Sequence, residues 1–240
     1  VGSNLQTADE INGGDGTDYV VFEGDYTTAT GNALSLGAAT LTDVEYFIMS
    51  GGYDYDITLH NNTFSSATAT IQGGGLASGD ILTIDASAET ATNITISSGD
   101  ANDSLTGGAG ADTINGGNGN DTLTGGSGNN VFQFNSTTAG NDTITDFSHA
   151  NDIIVLNSAA QFAGLALTGT AAVDANELLK GAGKTTSETA TDFLIYNTTD
   201  GALYYDADAA GEVASAVQIA TLTGSPDDLD ITDFALAAFG

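Results

Sequence analysis

The sequence predicts an all-β chain: a parallel β-solenoid followed by a small, mainly antiparallel β region with a short helix. Three observations carry that expectation. Between Ser98 and Gln133 the chain repeats in nines. Ahead of that block, short β-branched segments recur at nearly even intervals that run into the repeat register. Behind it, apolar segments alternate with turns, as antiparallel strands do.

Aligned in nines, the chain reads SGDANDSLT (98–106), GGAGADTIN (107–115), GGNGNDTLT (116–124) and GGSGNNVFQ (125–133), with an outlying copy, GGDGTDYVV, at 13–21. Position six holds Asp103, Asp112, Asp121 and Asn130, and Asp18 in the outlier. Position eight holds Leu105, Ile114, Leu123, Phe132 and Val20. A flexible glycine-rich linker has no reason to place an apolar residue at every ninth position. Each unit therefore reads as a glycine-rich turn and a very short strand whose position-eight side chain points inward.

This pattern resembles the G-G-x-G-x-D-x-U-x nonapeptide, U being apolar, of the RTX or haemolysin-type calcium-binding family. The residue types suit that ion. Calcium takes about six to eight oxygen ligands, from carboxylates and backbone carbonyls, in loose geometry. Glycine lets the backbone curl so that carbonyls converge, and the position-six Asp adds charge. The candidate metal-binding residues are Asp103, Gly108, Gly110, Asp112, Gly117 and Gly119, then Asp121, Gly126, Gly128 and Asn130. Asp142 and Asp146 are further ligand candidates downstream, and Gly14, Gly16 and Asp18 are candidates in the outlier. The resemblance implies that two nonapeptides make one coil of a parallel β-roll, with each ion between stacked turns. Asp103 and Asp121 then share one edge, and Asp112 and Asn130 the other. Asn130 lacks the charge, so a weaker site or a closing cap is expected there.

Residues 22–97 contain the segments Ile57–Leu59, Ala69–Ile71, Ile81–Ile84 and Ile94–Ile96. Their inward candidates Leu59, Ile71, Ile84 and Ile96 are 12, 13 and 12 residues apart, and the next steps to Leu105, Ile114 and Leu123 are each 9. That drift suggests one solenoid whose coils narrow into the roll; a separate small β-sandwich is the alternative. The run Leu41-Thr42-Asp43-Val44-Glu45-Tyr46-Phe47 resembles the L-x-x-V/I-E segments between repeats of large bacterial surface RTX proteins, and reads equally as an ordinary strand. The expected organisation is a solenoid with one isolated repeat over 1–97, the calcium roll and its closing strands over 98–156, and a C-terminal cap and secretion region over 157–240.

After the repeats, Asp142, Asp146 and Asp152 match a D-x-I-x-D-F-x-x-x-x-D-x-I-x-L pattern that resembles the closing region of RTX rolls. Strands are expected at Thr191–Tyr196, Ala202–Tyr205 and Val217–Leu222, with a turn at Asp200-Gly201. The short helix is expected to be capped by Asp174 and to run through Leu179, with Lys180 and Lys184 flanking its end. Tyr204–Asp208, Ala216–Leu222 and the ending Leu229–Phe239 resemble the tail of type I secreted RTX proteins, where the uncleaved export signal lies.

Charge bounds the function. With 32 acidic residues against 2 basic ones, the formal net charge is −30. Such a chain repels a phosphate backbone, which excludes nucleic acid as a partner. No apolar run is long enough to span a bilayer as a helix. Hydrophobic content of 40% argues against a disordered acidic tail. Self-repulsion opposes any compact state, so positive charge has to come from outside. No H-E-x-x-H, G-x-S-x-G or cysteine nucleophile occurs, and His60 and His149 stand far apart as surface or turn residues. Asp54 and Asp56 share a strand face without a cleft; they read as a solvated face or an extra calcium ligand. No enzyme activity is therefore expected.

The chain starts at Val1 and is expected to be a piece of a longer protein. The expected role is the calcium-dependent folding, secretion and self-assembly region of an extracellular bacterial surface protein, S-layer or adhesin in type. Calcium is the expected cofactor. Copies of itself, cell-envelope polysaccharide and the type I secretion machinery are the expected partners. The alternative is the C-terminal calcium-binding and export domain of a secreted RTX hydrolase, a protease or lipase, with its catalytic domain upstream.

Overall fold

The computed structural model describes residues 11–29, 31, 33–36, 41–61, 63–64, 66–137, 140–157, 162, 177–188, 193–207, 216–224 and 226–237. From Tyr19–Phe22 to Ile153–Asn157 the strands of the roll fall alternately into two sheets of eight and ten strands, parallel to their neighbours there, and the ten-stranded sheet gains antiparallel neighbours only in its C-terminal part. In the first three consecutive repeats each strand is three residues long, as in Ser104–Thr106 and Thr113–Asn115, with only the middle residue buried, and in the fourth Val131–Phe134 has four residues with Phe132 and Phe134 buried. Period-two alternation sends that residue inward and its neighbours to solvent.

The interior is a stack of like side chains. One sheet contributes Phe47, Ile71, Ile96, Ile114, Phe132 and Ile154, paired in register from coil to coil. The other contributes Ile57, Ile84, Leu105, Leu123 and Ile144. None of these is more than 1% exposed. Burying a side chain of this size contributes roughly 1.5–3 kcal/mol, and each coil also closes the apolar surface of the one before it.

The two sheets run without a break from the N-terminal segments into the repeats, so no separate sandwich forms. Coils measured in the first sheet shorten from 24 and 25 residues (Phe47 to Ile71 to Ile96) to 18 and 18 (Ile114, Phe132), then lengthen to 22 at Ile154. One inward candidate is displaced. Leu59 is buried, but it stacks on Leu36, and Ile57 is the residue in column with Ile84. Residues i and i+2 of a strand share a face, so apolarity alone did not separate the two. A third wall beside the first coils pairs Ile11–Asn12 with Leu41–Thr42, and Leu41 bridges Phe64.

The C-terminal region returns to the solenoid and builds its last coil. Strand Val217–Leu222 lies parallel on Asp142–Ile144, and Phe234–Ala237 lies parallel on Ile153–Asn157. Ala202–Tyr205 pairs antiparallel with both Leu194–Asn197 and Val217–Leu222. The expected helix is corrected: Leu178–Gly181 is a strand parallel to Leu194–Asn197, and Asp174 lies outside the described residues. Pairing along a sheet edge overrides the good helix propensity of Leu-Leu-Lys, as tertiary context does for so short a run. Accordingly Lys180 does not flank a helix; its Nζ donates to the carbonyls of Asp227 and Leu229 at 2.8 and 2.9 Å. Lys184 sits in the following turn and pairs with Glu188. Among the described residues the helical element is one 3₁₀ turn, Ile231–Asp233, closed by a capping box between Asp230 and Asp233.

Candidate metal centre

Each repeat turn leads directly into a strand, so position six is the last residue before the inward-facing core. Stacking the coils in register stacks these residues as well. Asp103, Asp121 and Asp142 form a column on one edge, and Asp112, Asn130 and Asp152 form one on the other. All six are at most 3% exposed. A hydrogen bond links each to the coil before it. The backbone N–H of Leu82 donates to Asp103 Oδ1 at 2.8 Å, that of Asp103 to Asp121 at 2.8 Å, and that of Asp121 to Asp142 at 3.0 Å. On the opposite edge Ile94 donates to Asp112 at 2.7 Å, Asp112 to Asn130 at 3.1 Å, and Asn130 to Asp152 at 2.9 Å.

A second ladder runs beside the first in the opposite sense. The N–H of Asn120 donates to Asn102 Oδ1, and that of Asn141 to Asn120 Oδ1, each at 2.8 Å. Here the later coil donates to the earlier one. The paired ladders fix both the spacing and the register of the turns.

The second carboxylate oxygens reveal what the chain does not provide. Oδ2 of Asp103 accepts from the Ser98 hydroxyl. Oδ2 of Asp112 accepts from Gly108 N–H at 2.7 Å, and Oδ2 of Asp152 from Ser148 N–H at 2.9 Å. Oδ2 of Asp121 is buried with no hydrogen-bond partner. A buried, unpaired carboxylate oxygen is costly. Burial pushes the Asp121 carboxyl up to about 8, the negative charges of Asp142 and Asp103 adding to it. Burial likewise raises Asp142 to about 7, and lifts Asp103, Asp112 and Asp152 above the usual carboxylate range.

Carbonyl oxygens complete the donor set. A Cβ on Gly119 would lie 1.9 Å from the Ala101 carbonyl oxygen, and one on Gly128 2.1 Å from that of Gly110. Both glycines have positive φ, 120° and 110°, a region side chains disfavour. Only glycine lets successive turns stack this closely. Gly117 and Gly126 press on the carbonyls of Gly99 and Gly108 in the same way, and Gly108 and Gly110 on those of Glu89 and Thr92. Stacked carboxylates and carbonyls, all oxygen, with a partnerless Oδ2 among them, fit a hard divalent cation such as calcium and not a thiophilic metal.

The remaining sequence candidates are more dispersed. Asp18 lies at the N-terminal end of the edge that carries Asp112, Asn130 and Asp152, separated from Asp112 by Glu45, Ala69 and Ile94, and Gly14 and Gly16 lie in the turn before it. Asp146 lies off the column: its carboxylate accepts from Gly125 and Gly126 N–H, each at 2.8 Å. Asp152, not among the ligand candidates from sequence, stands in the column instead; the D-x-I run it shares with Asp142 is the signal that could have placed it. Asp54 receives the N–H of Ile81 at 2.7 Å, extending the outer type of ladder. His149 Nδ1 pairs with Asp233 at 2.9 Å, tying the turn before the last roll strand to the C-terminal coil. That pairing raises the His149 pKa, while burial outweighs it at Asp233 and holds that carboxyl above its usual range.

A two-sheeted parallel roll with oxygen-lined, glycine-bent turns defines a class of calcium-binding repeat protein. In agreement, the RTX calcium-binding nonapeptide repeat matches this chain at residues 7–28 and 97–132, in four copies. The chain carries RTX repeats, and such repeats are calcium-binding and typical of secreted, extracellular proteins. The match covers less than a third of the chain. Searches of curated proteins and of solved structures returned no significant match. Among the described residues, no helix is long and apolar enough to cross a membrane.

Proposed function

We propose that this chain is the calcium-folding, export and surface-assembly region of an extracellular bacterial RTX protein of the S-layer or adhesin type, with no catalytic activity of its own. The observation that carries the reading is the pair of buried acidic columns in a chain with two lysines and no arginine. The chain cannot neutralise these carboxylates itself. When bound, calcium supplies the missing positive charge between stacked turns. Position-six carboxylates and turn carbonyls from two coils then hold one ion, so each occupied site joins coils about eighteen residues apart.

Where free calcium is scarce, as in the cytosol, self-repulsion keeps the export substrate loose. Outside, sites of this extracellular kind bind at about 10⁻⁴–10⁻³ M. At about 100 times Kd each adds roughly 2.7 kcal/mol to the folded state. The excess of exposed carboxylates lets further calcium bridge neighbouring copies or envelope polysaccharide. Calcium titration followed by circular dichroism and light scattering tests both parts. Folding and then ordered assembly, each reversed by chelator, are expected. A chain already folded in chelator and unchanged by calcium would refute the switch, and folding without assembly would refute the surface array.

A further inference from the structure

One wall of the roll carries no charge. The strands of the eight-stranded sheet, from Tyr19–Phe22 to Phe234–Ala237, contain no acidic or basic residue. The opposite wall turns Asp56 and Asp85 outward, beside the buried Ile57 and Ile84. In a chain of net charge −30, a neutral face spanning the whole stack is a property of that surface and not of the composition. Strand register lines up one of its outward rows as Val21, Ile48, Gln72, Ser97 and Asn115.

A groove follows that row. A cavity of about 340 Å³ runs from Ile48 past Gln72 to Gly74 and Ser97. A second, of about 260 Å³, starts at the same Gly74 and Ser97 and continues past Asn115 to Asn135. Together they cross five successive strands of the sheet, a length on the order of 20 Å at about 4.8 Å per strand. Glycine at the corners keeps the groove open: a Cβ on Gly74 would stand 3.6 Å from Ser97 Oγ, in the passage where the two cavities meet. The polar lining is held in place. Asn115 Oδ1 accepts the Gly117 N–H at 3.0 Å, and Asn118 Nδ2 donates to Asp100 Oδ1 at 2.6 Å. The Asn115 amide keeps its two donors for a ligand. Asp100 is the single charged residue lining either cavity. Beside Ile48, on the same strand face, Tyr46 stacks on Tyr19 with ring centroids 4.8 Å apart, and Tyr19 is 58% exposed.

We propose that this groove binds a linear, uncharged polysaccharide laid along the roll axis, across the strands. The proposal rests on the surface-assembly reading and gives the polysaccharide a site of its own, held by direct contact and not through calcium bridges. Sugar hydroxyls exchange hydrogen bonds with the Gln72 and Asn115 amides and the Ser97 hydroxyl, while the C–H faces of the rings rest on Ile48 and the tyrosine pair. An anionic polymer is repelled by the field of the whole chain. A cationic partner meets one carboxylate here and finds many elsewhere. An apolar partner would cover the amides without pairing them, which is costly. The row offers a polar side chain on successive rungs, so an extended polymer gains from several weak contacts at once.

Affinity electrophoresis of the full chain in saturating calcium tests this, with dextran, mannan or laminarin cast in the gel and alginate as the anionic control. Retardation by at least one neutral polymer and none by alginate is expected, unchanged by added salt because no ion pair is involved. Gly74 lies outside the left-handed φ region, so Gly74→Leu fills the passage without backbone strain and should weaken binding about tenfold or more. Thr122→Leu, on the outer face of the opposite wall, should bind as wild type. Circular dichroism across a calcium titration checks that each variant still folds. A calcium-folded chain that no neutral polymer retards, or a folded Gly74→Leu chain retarded as wild type, would overturn the proposal. Retardation by alginate alone would overturn the charge argument on which it stands. Loss of calcium-dependent light scattering in Gly74→Leu with no polymer present would assign the groove to a second copy of the chain instead. A wild-type chain that calcium does not fold would overturn the proposed function beneath it.

Discussion

Replacing Asp121 with Asn separates what its carboxylate does for the backbone from what it does for calcium. Asn keeps an oxygen for the Asp103 N–H, now bonded at 2.8 Å, and its Nδ2 has a precedent in Asn130, whose Nδ2 donates to Gly126 O at 3.4 Å. Without calcium the native carboxyl is held up to about 8 by burial, against an ordinary value near 4. At pH 7 the folded chain keeps a proton that the unfolded chain has released over about three pH units, each worth about 1.4 kcal/mol. The variant is relieved of a penalty on the order of 2–4 kcal/mol. With calcium at about 100 times Kd it forfeits roughly 2.7 kcal/mol of binding. Far-UV circular dichroism at pH 7, in chelator and across a calcium titration, should then show a higher calcium-free β signal and a smaller calcium-dependent gain. The sign with pH follows from the same shift. In chelator, wild-type stability falls as pH rises from about 4 to about 8 and then levels, because the folded state holds the extra proton; the variant has a shallower fall. An Asp121→Asn chain equally weakened in chelator and in calcium would mean that the carboxylate serves only the ladder.

The other predictions concern the turns and the clasp. Gly119→Ala puts a methyl 1.9 Å from a backbone carbonyl at φ of 120°, so backbone strain and overpacking together should cost about 2–5 kcal/mol. Gly14→Ala, at φ of 86° with open space around it, should cost about 1–2 kcal/mol; urea midpoints in saturating calcium compare the two, and equal losses would remove the close-stacking argument. His149→Gln should lower the urea midpoint at pH 6, where the imidazole is charged against Asp233, and the difference should shrink as pH climbs through the raised His149 value. A pH-independent difference would assign His149 a packing role only.

The roll was legible because its two signals coincide. Leu105, Ile114 and Leu123 mark the interior at nine-residue steps, and the position-six residues mark the edges at the same steps. Outside the nonapeptides only the apolar signal survives, and a strand with two inward residues, such as Tyr55–Leu59, cannot declare which of them joins the column. The strand at Leu178–Gly181 was misread as helix because what fixes it, pairing with Leu194–Asn197, lies well down the chain.

The return of the tail to the roll has a consequence for how the architecture tolerates insertions. The final rungs join Ile144 to Leu222 and Ile154 to Phe234, steps of 78 and 80 residues where the repeats use 18. By the logarithmic scaling of loop closure, the longer excursion costs only about 1–1.5 kcal/mol more than a short coil, comparable to one buried methylene or two. A rung interface recognises the strand laid on it, not the length of chain that delivered it. An entire lobe can thus be spliced between adjacent rungs while the stack closes above it, and the space between coils becomes a docking port through which the scaffold acquires new parts without rebuilding its spine.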